Sequence, residues 1–118
     1  MFWRYYPQKG RQKPTAEHLG SMLRHLHALP TPPVELSPYQ PLKHFADSVM
    51  ASASLPADAS AWLLTRRGEL LSQYEGFDFP LGHGWIHGDA YPGNTLWDGD
   101  RALLGDWDEV GTGPRELD

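Results

Sequence analysis

The sequence predicts an α+β protein, and three observations carry the prediction. Apolar residues recur at helical spacing through most of the chain, two short apolar runs flank Asp98-Gly99-Asp100 near its end, and a polar loop from His87 to Asn94 stands just before them. At 118 residues the chain is one domain's worth of sequence. Its 40% hydrophobic, 12% aromatic and 21% charged residues are the balance of a folded protein, not of a disordered tail. The net charge of -5 offers no broad basic surface, which argues against nucleic acid as a partner and suits a cationic small substrate. The absence of Cys excludes disulfides and thiolate metal sites and fits a cytoplasmic setting. No apolar run approaches the roughly 20 residues of a bilayer span, and Met1 to Pro7 has no signal-peptide core behind it, so no membrane association is expected.

Phe2 to Tyr6 is aromatic and extended in character until Pro7 stops it, and Gln8 to Lys13 is a polar, basic linker expected to be solvated. Pro14 suits a first helical residue, with Leu19, Met22, Leu23, Leu26 and Leu29 on one face until Pro30 ends the helix. His18, His25 and His27 on or beside it lack an acidic partner at ligand spacing and are expected to be partly exposed structural residues. Thr31 to Pro41 carries four prolines and is a rigid connection. A second helix follows from Leu42, Phe45, Ala46, Val49 and Met50, and a third runs from about Pro56–Asp58 toward Tyr74. Ala59, Leu63, Leu70 and Tyr74 form the expected buried stripe of that third helix. Gly68 suggests a bend or a close packing contact, and Arg66 and Arg67 are expected on its surface. Phe77 to Gly84 is a loop, Trp85 and Ile86 a very short strand, and Thr95–Trp97 with Ala102–Leu104 a hairpin.

The chemistry concentrates between His87 and Asp108. Asp89 and Asn94 stand five residues apart with Pro92 and Gly93 between them, and Asp106 follows twelve residues after Asn94. Phosphoryl transfer needs an acceptor hydroxyl held in line and charge compensation on the phosphate oxygens, with little covalent work left to the protein. Asp89 suits the carboxylate that aligns the hydroxyl and takes its proton. Asn94 and Asp106 offer the neutral and anionic oxygens that suit Mg²⁺. Pairing the hairpin arms returns the chain so that both ligands meet at one end.

His87-Gly88-Asp89 with Asn94, then Asp106-Trp107-Asp108, resembles the catalytic loop and metal-binding segment of the aminoglycoside phosphotransferase and choline kinase family, relatives of protein kinases. The ending Gly113-Pro114-Arg115-Glu116-Leu117-Asp118 is similar to the stretch that opens that family's next helix. The resemblance implies a kinase-like fold, with Asp89 as catalytic base, Asn94 and Asp106 as ligands of Mg²⁺ and the nucleotide, and His87 as a brace of the loop. It gives Asp108 and Asp118 supporting roles near the metal and under the loop. Trp107 in place of Phe and Gly88 in place of Arg favour the small-molecule branch over protein kinases. ATP or GTP is the implied co-substrate, and the acceptor is a small-molecule hydroxyl, with an amino-bearing compound suggested by the acidic balance.

By the same resemblance, residues 1–13 match the connection between lobes, 14–76 the helical part of the larger lobe, 84–108 the catalytic loop, hairpin and metal-binding segment, and 109–118 the start of a helix. The family's nucleotide-binding lobe, with its phosphate-covering loop and Lys, has no counterpart here, so the chain is expected to be a fragment with little turnover alone. The rival enzyme reading is a metal-dependent hydrolase using His83, His87 and Asp89. A noncatalytic binding module is the third. Gly82-x-Gly84 before Gly88 has the wrong spacing for a dinucleotide site, and Asp98, Asp100 and Asp106 lack the bidentate Glu of a Ca²⁺ loop.

Overall fold

The structure, a computed structural model, describes residues 4–30 and 33–118. The beginnings of the expected Phe2 to Tyr6 strand and of the Thr31 to Pro41 loop lie outside them, and Arg4 to Tyr6 has no regular structure. In chain order the elements are α1 (Ala16–His27), α2 (Phe45–Ala51), α3 (Ala57–Glu75), β1 (His83–Ile86), β2 (Thr95–Asp98), β3 (Arg101–Leu104) and β4 (Gly111–Pro114), with 3-10 turns at Pro92–Asn94 and Arg115–Leu117. This is the mixed α+β arrangement that the patterning predicts. No helix among the described residues is long and apolar enough to cross a membrane. The chain forms two compact units, one of the residues up to Tyr39 with Phe79–Asp118, the other of Gln40–Asp78.

In the first unit, α1 starts at Ala16, two residues later than Pro14 suggests, because Thr15 takes the N-cap position. The Thr15 backbone N–H donates to His18 Nδ1 (3.3 Å) and the Thr15 hydroxyl lies 2.7 Å from the same nitrogen, so His18 satisfies an exposed helix-end donor. Leu19 and Leu26, seven apart, are the buried points of the helix, whereas Leu29 falls beyond its end and is half exposed. Ile86 and His87 are fully buried and Thr95 nearly so. Burying one such aliphatic side chain contributes about 1.5–3 kcal/mol.

Two antiparallel pairs complete this unit. β2 pairs with β3 in the register Thr95↔Leu104 to Asp98↔Arg101, and Gly99 at φ +58 opens its two-residue turn. β1 pairs with β4, His83↔Pro114 through Ile86↔Gly111, so residues 109–118, expected to open a helix, instead supply a strand and one 3-10 turn. The antiparallel partner satisfies the backbone of β1, which a four-residue segment cannot do by itself. The proline-rich connection also joins in: Thr112 donates to the Ser37 carbonyl (3.0 Å) and Tyr39 to the Thr112 carbonyl (2.8 Å). A Cβ at Gly111 would stand 2.7 Å from the Ser37 oxygen, so only glycine admits this approach.

The Gln8 to Lys13 linker is not simply solvated. The Gln8 carboxamide accepts from the Trp97 N–H (2.9 Å) and donates to the Trp97 carbonyl (2.8 Å), using the free edge of β2 as a strand partner would. The Trp97 indole donates to the Gln12 carbonyl (2.7 Å), the Arg11 guanidinium lies 4.7 Å from the Trp97 ring centre, and Lys13 donates to the Gly93 carbonyl. Composition marked this stretch as polar, but its polar groups are spent on the hairpin edge and on the loop before it.

In the second unit α2 and α3 pack together. No residue of α3 is buried; Ala59, Leu63 and Tyr74 are half-buried as expected, but Leu70 is exposed and Leu71 takes its place on the packed side. Gly68 has open space where a Cβ would be, so neither a packing contact nor a clash explains it. Arg66 pairs with Glu69 (2.7 Å) and Arg67 reaches the Leu42 carbonyl (3.3 Å), both at the surface.

Candidate functional site

The loop after β1 is built downward from its buried end. Ile86 and His87 anchor it in the core, and Gly88 turns it at φ +83. A Cβ on Gly88 would collide with the Glu109 carbonyl oxygen, so position 88 demands glycine for conformation and for space. His87 Nε2 donates to the Gly105 carbonyl (2.9 Å), and the Asp89 N–H donates to His87 Nδ1 (3.3 Å). Both ring nitrogens of His87 are thereby engaged within the protein, which leaves neither for a substrate or metal. Its ring also packs 4.6 Å from that of Trp107. These contacts hold the imidazole against Gly105 and the start of the loop.

Asp89 and Asn94 are brought together directly. The Asn94 amide donates to the Asp89 carboxylate and to the Asp89 backbone carbonyl, each at 2.9 Å. This closes the six-residue loop from Asp89 to Asn94 through the Pro92–Asn94 3-10 turn, and the Asn94 amide oxygen has no hydrogen bond among the described residues. Tyr91 lies across Gly93 so closely that a Cβ at position 93 would fall inside its ring. The Asp89 carboxylate is exposed, oriented by Asn94 and open to a ligand.

The hairpin delivers Asp106 to the same end. Gly105 donates to the Asn94 carbonyl (2.8 Å), which extends the β2–β3 ladder by one step and sets Asp106 just past the residue opposite Asn94. Asp106 has φ +60, uncommon for a residue with a side chain, and its carboxylate has no hydrogen bond or ion pair among the described residues. An amide oxygen and a carboxylate, both uncommitted, are the donor types that suit Mg²⁺, so these residues fit the ion that the resemblance implies. Asp108 is exposed on the turn closed by Val110 N–H to the Trp107 carbonyl (3.2 Å), and among the described residues its carboxylate makes no ion pair.

Asp118 lies beneath the loop. Its side chain is fully buried and accepts from the backbone N–H groups of His87 (2.9 Å) and Gly88 (3.0 Å). His27 Nε2 reaches the same carboxylate at 2.9 Å across 91 residues of sequence. His27 was expected to be one of three equivalent structural histidines; position separates it from His18, which caps α1, and from exposed His25, which turns back on the Ser21 carbonyl (2.7 Å). The helical register sets His27 one residue beyond buried Leu26, and that was the only sequence signal for it.

The hydrolase triad is not assembled. Among the described residues no three His, Cys, Asp or Glu side chains gather to hold a metal ion. His83 is exposed on β1 with its ring against Phe79 (5.7 Å), and both nitrogens of His87 are occupied.

A carboxylate oriented by an amide thus stands on a loop whose backbone is fixed from below, with a second carboxylate returned toward it by a hairpin. The chain matches the family model described as the phosphotransferase enzyme family over residues 3–118, and it belongs to that family. The family implies a kinase-like fold for the mixed α+β architecture. Searches of curated proteins and of solved structures give no significant match.

Proposed function

We propose that this domain serves the transfer of the γ-phosphoryl group of ATP or GTP to a hydroxyl of a small acceptor, with the net charge of -5 favouring an amino-bearing one. The observation that carries this reading is the meeting of Asp89, Asn94 and Asp106, joined by the Asn94 amide and by the Gly105 to Asn94 backbone bond. In this reading Asp89 accepts the acceptor's hydroxyl hydrogen, aligns the oxygen for in-line attack, and takes the proton as the bond to phosphorus forms. The Asn94 amide holds the Asp89 carboxylate in one orientation, so less alignment entropy is lost when the acceptor arrives. Asn94 Oδ1 and the Asp106 carboxylate are the residues that would hold Mg²⁺, with Asp108 as an outer contributor. Bound with the nucleotide, Mg²⁺ supplies charge compensation for the phosphate oxygens. His87, Gly88 and Asp118 keep the Asp89 backbone fixed.

The test uses Mn²⁺ in place of Mg²⁺ with ATP and follows paramagnetic broadening of backbone and side-chain amide resonances. Broadening centred on Asn94 and Asp106 that requires ATP supports the reading, together with transfer of labelled γ-phosphate to a hydroxyl acceptor. Broadening centred on His83 and His87, independent of nucleotide, would replace it with the hydrolase reading.

A further inference from the structure

A cavity of the first unit is lined by none of Asp89, Asn94 and Asp106. It lies between α1 and β3, has a volume of about 720 Å³, and is lined on its apolar side by Met22, Leu26, Leu103, Leu104 and Trp107. That volume is within the range that takes small organic ligands, and an apolar wall with a few polar groups is the composition such sites have. Trp107 is 40% exposed although its indole is held in place by a bond to the Leu104 carbonyl (2.9 Å). The indole therefore presents a fixed apolar face to the cavity.

The polar residues that line it are His18, Ser21, His25 and Arg101, of which only Arg101 carries a permanent charge. Each histidine has Nδ1 committed to its own helix, at Thr15 and at the Ser21 carbonyl. Arg101 differs: it carries a permanent charge, is exposed at the start of β3, and makes no ion pair or hydrogen bond among the described residues. A full cation without a counter-charge beside an apolar cavity is complementary to one chemical class.

We propose that this cavity binds a small amphipathic anion, an apolar chain or ring bearing one carboxylate, with the apolar part against Leu103 and Trp107 and the carboxylate on Arg101. The apolar surface favours the chain and the guanidinium fork selects the head group. An occupant would rest on the indole that packs against His87, so the site lies directly behind the turn carrying Asp106. The binding itself does not depend on the phosphotransfer reading.

The probe is octanoate titrated into the full 118-residue chain, with octanol as the uncharged control and acetate as the control without a chain. The expected result is a saturable shift of the Trp107 indole N–H and the Arg101 guanidinium resonances, with Kd of about 0.1–1 mM. Octanol should bind at least about 5-fold more weakly, and acetate should not saturate. Arg101→Gln should weaken octanoate about 5-fold or more while leaving octanol unchanged. Ser21→Phe, at an exposed helix position on the cavity, should fill the space and weaken both. Absence of a saturable shift, equal affinity for octanoate and octanol, or unchanged octanoate binding in Arg101→Gln would overturn the proposal.

Discussion

His27 Nε2 stands 2.9 Å from the Asp118 carboxylate, and that same carboxylate accepts the backbone N–H groups of His87 and Gly88. Three donors from two distant parts of the chain converge on one buried side chain, which ties the end of α1 to the loop carrying Asp89. Removing the acceptor strands all three donors. Asp118→Ala should lower the unfolding free energy by about 3 kcal/mol in chemical denaturation. His27→Gln keeps a donor on a side chain of similar reach and should cost only about 1 kcal/mol. Amide exchange at His87 and Gly88 should accelerate in Asp118→Ala far more than at Leu103.

Gly88 is constrained twice, by φ +83 and by the Glu109 carbonyl above its Cα. Gly88→Ala should destabilise the domain by about 2–3 kcal/mol, from left-handed strain together with displacement of the 107–110 turn. Gly99→Ala is the comparison: it has positive φ but open space, and should cost only about 1 kcal/mol. Thermal denaturation of the two variants side by side separates clash from strain.

The Asp89 carboxylate is exposed and, among the described residues, bonded only to the Asn94 amide, so its loss should be felt in chemistry and not in folding. In a form of the enzyme that transfers phosphate to a hydroxyl acceptor, Asp89→Ala should reduce the rate by about 100- to 10,000-fold, with an unchanged far-UV spectrum and melting temperature. A variant that keeps most of its rate removes Asp89 from the role of base.

Asp106 combines an unfavourable backbone angle with an uncommitted carboxylate. Asp106→Gly should leave stability unchanged or raise it by up to about 1 kcal/mol, since glycine adopts φ +60 without a steric penalty. The same variant should weaken Mg²⁺-dependent ATP binding by about 10-fold or more, measured by calorimetry with and without Mg²⁺. Stability and binding moving in opposite directions is the signature of strain retained for a ligand.

Gln8 pairs with both backbone groups of Trp97. Gln8→Ala should cost about 1–2 kcal/mol and expose the Trp97 amide to exchange, while Gln8→Asn, one methylene shorter, should not restore it.

Much of the site was legible because its spacing is local. Asp89, Pro92, Gly93 and Asn94 fit within one turn, and the Asp98-Gly99-Asp100 signal sets the hairpin that returns Asp106 toward Asn94. The three helices were legible from period and end signals, within two or three residues at their ends. The pairing of β1 with β4 was not, because Gly111-Thr112-Gly113-Pro114 has no alternating apolar pattern and its strand character comes wholly from its partner. The Gln8 to Lys13 strap was missed for a related reason: a polar run is chemically the same whether it meets water or an open strand edge.

Residue order thus dictated the elements, the turn that joins β2 to β3, and the identity of the three polar residues that meet around Asn94, since each rests on contacts within a few residues or across a tight hairpin. Packing alone selected His27 from three similar histidines and buried Asp118 beneath His87 and Gly88. Those contacts join residues 91 and about 30 positions apart, and at such separations a linear pattern carries no register to say which groups will face one another.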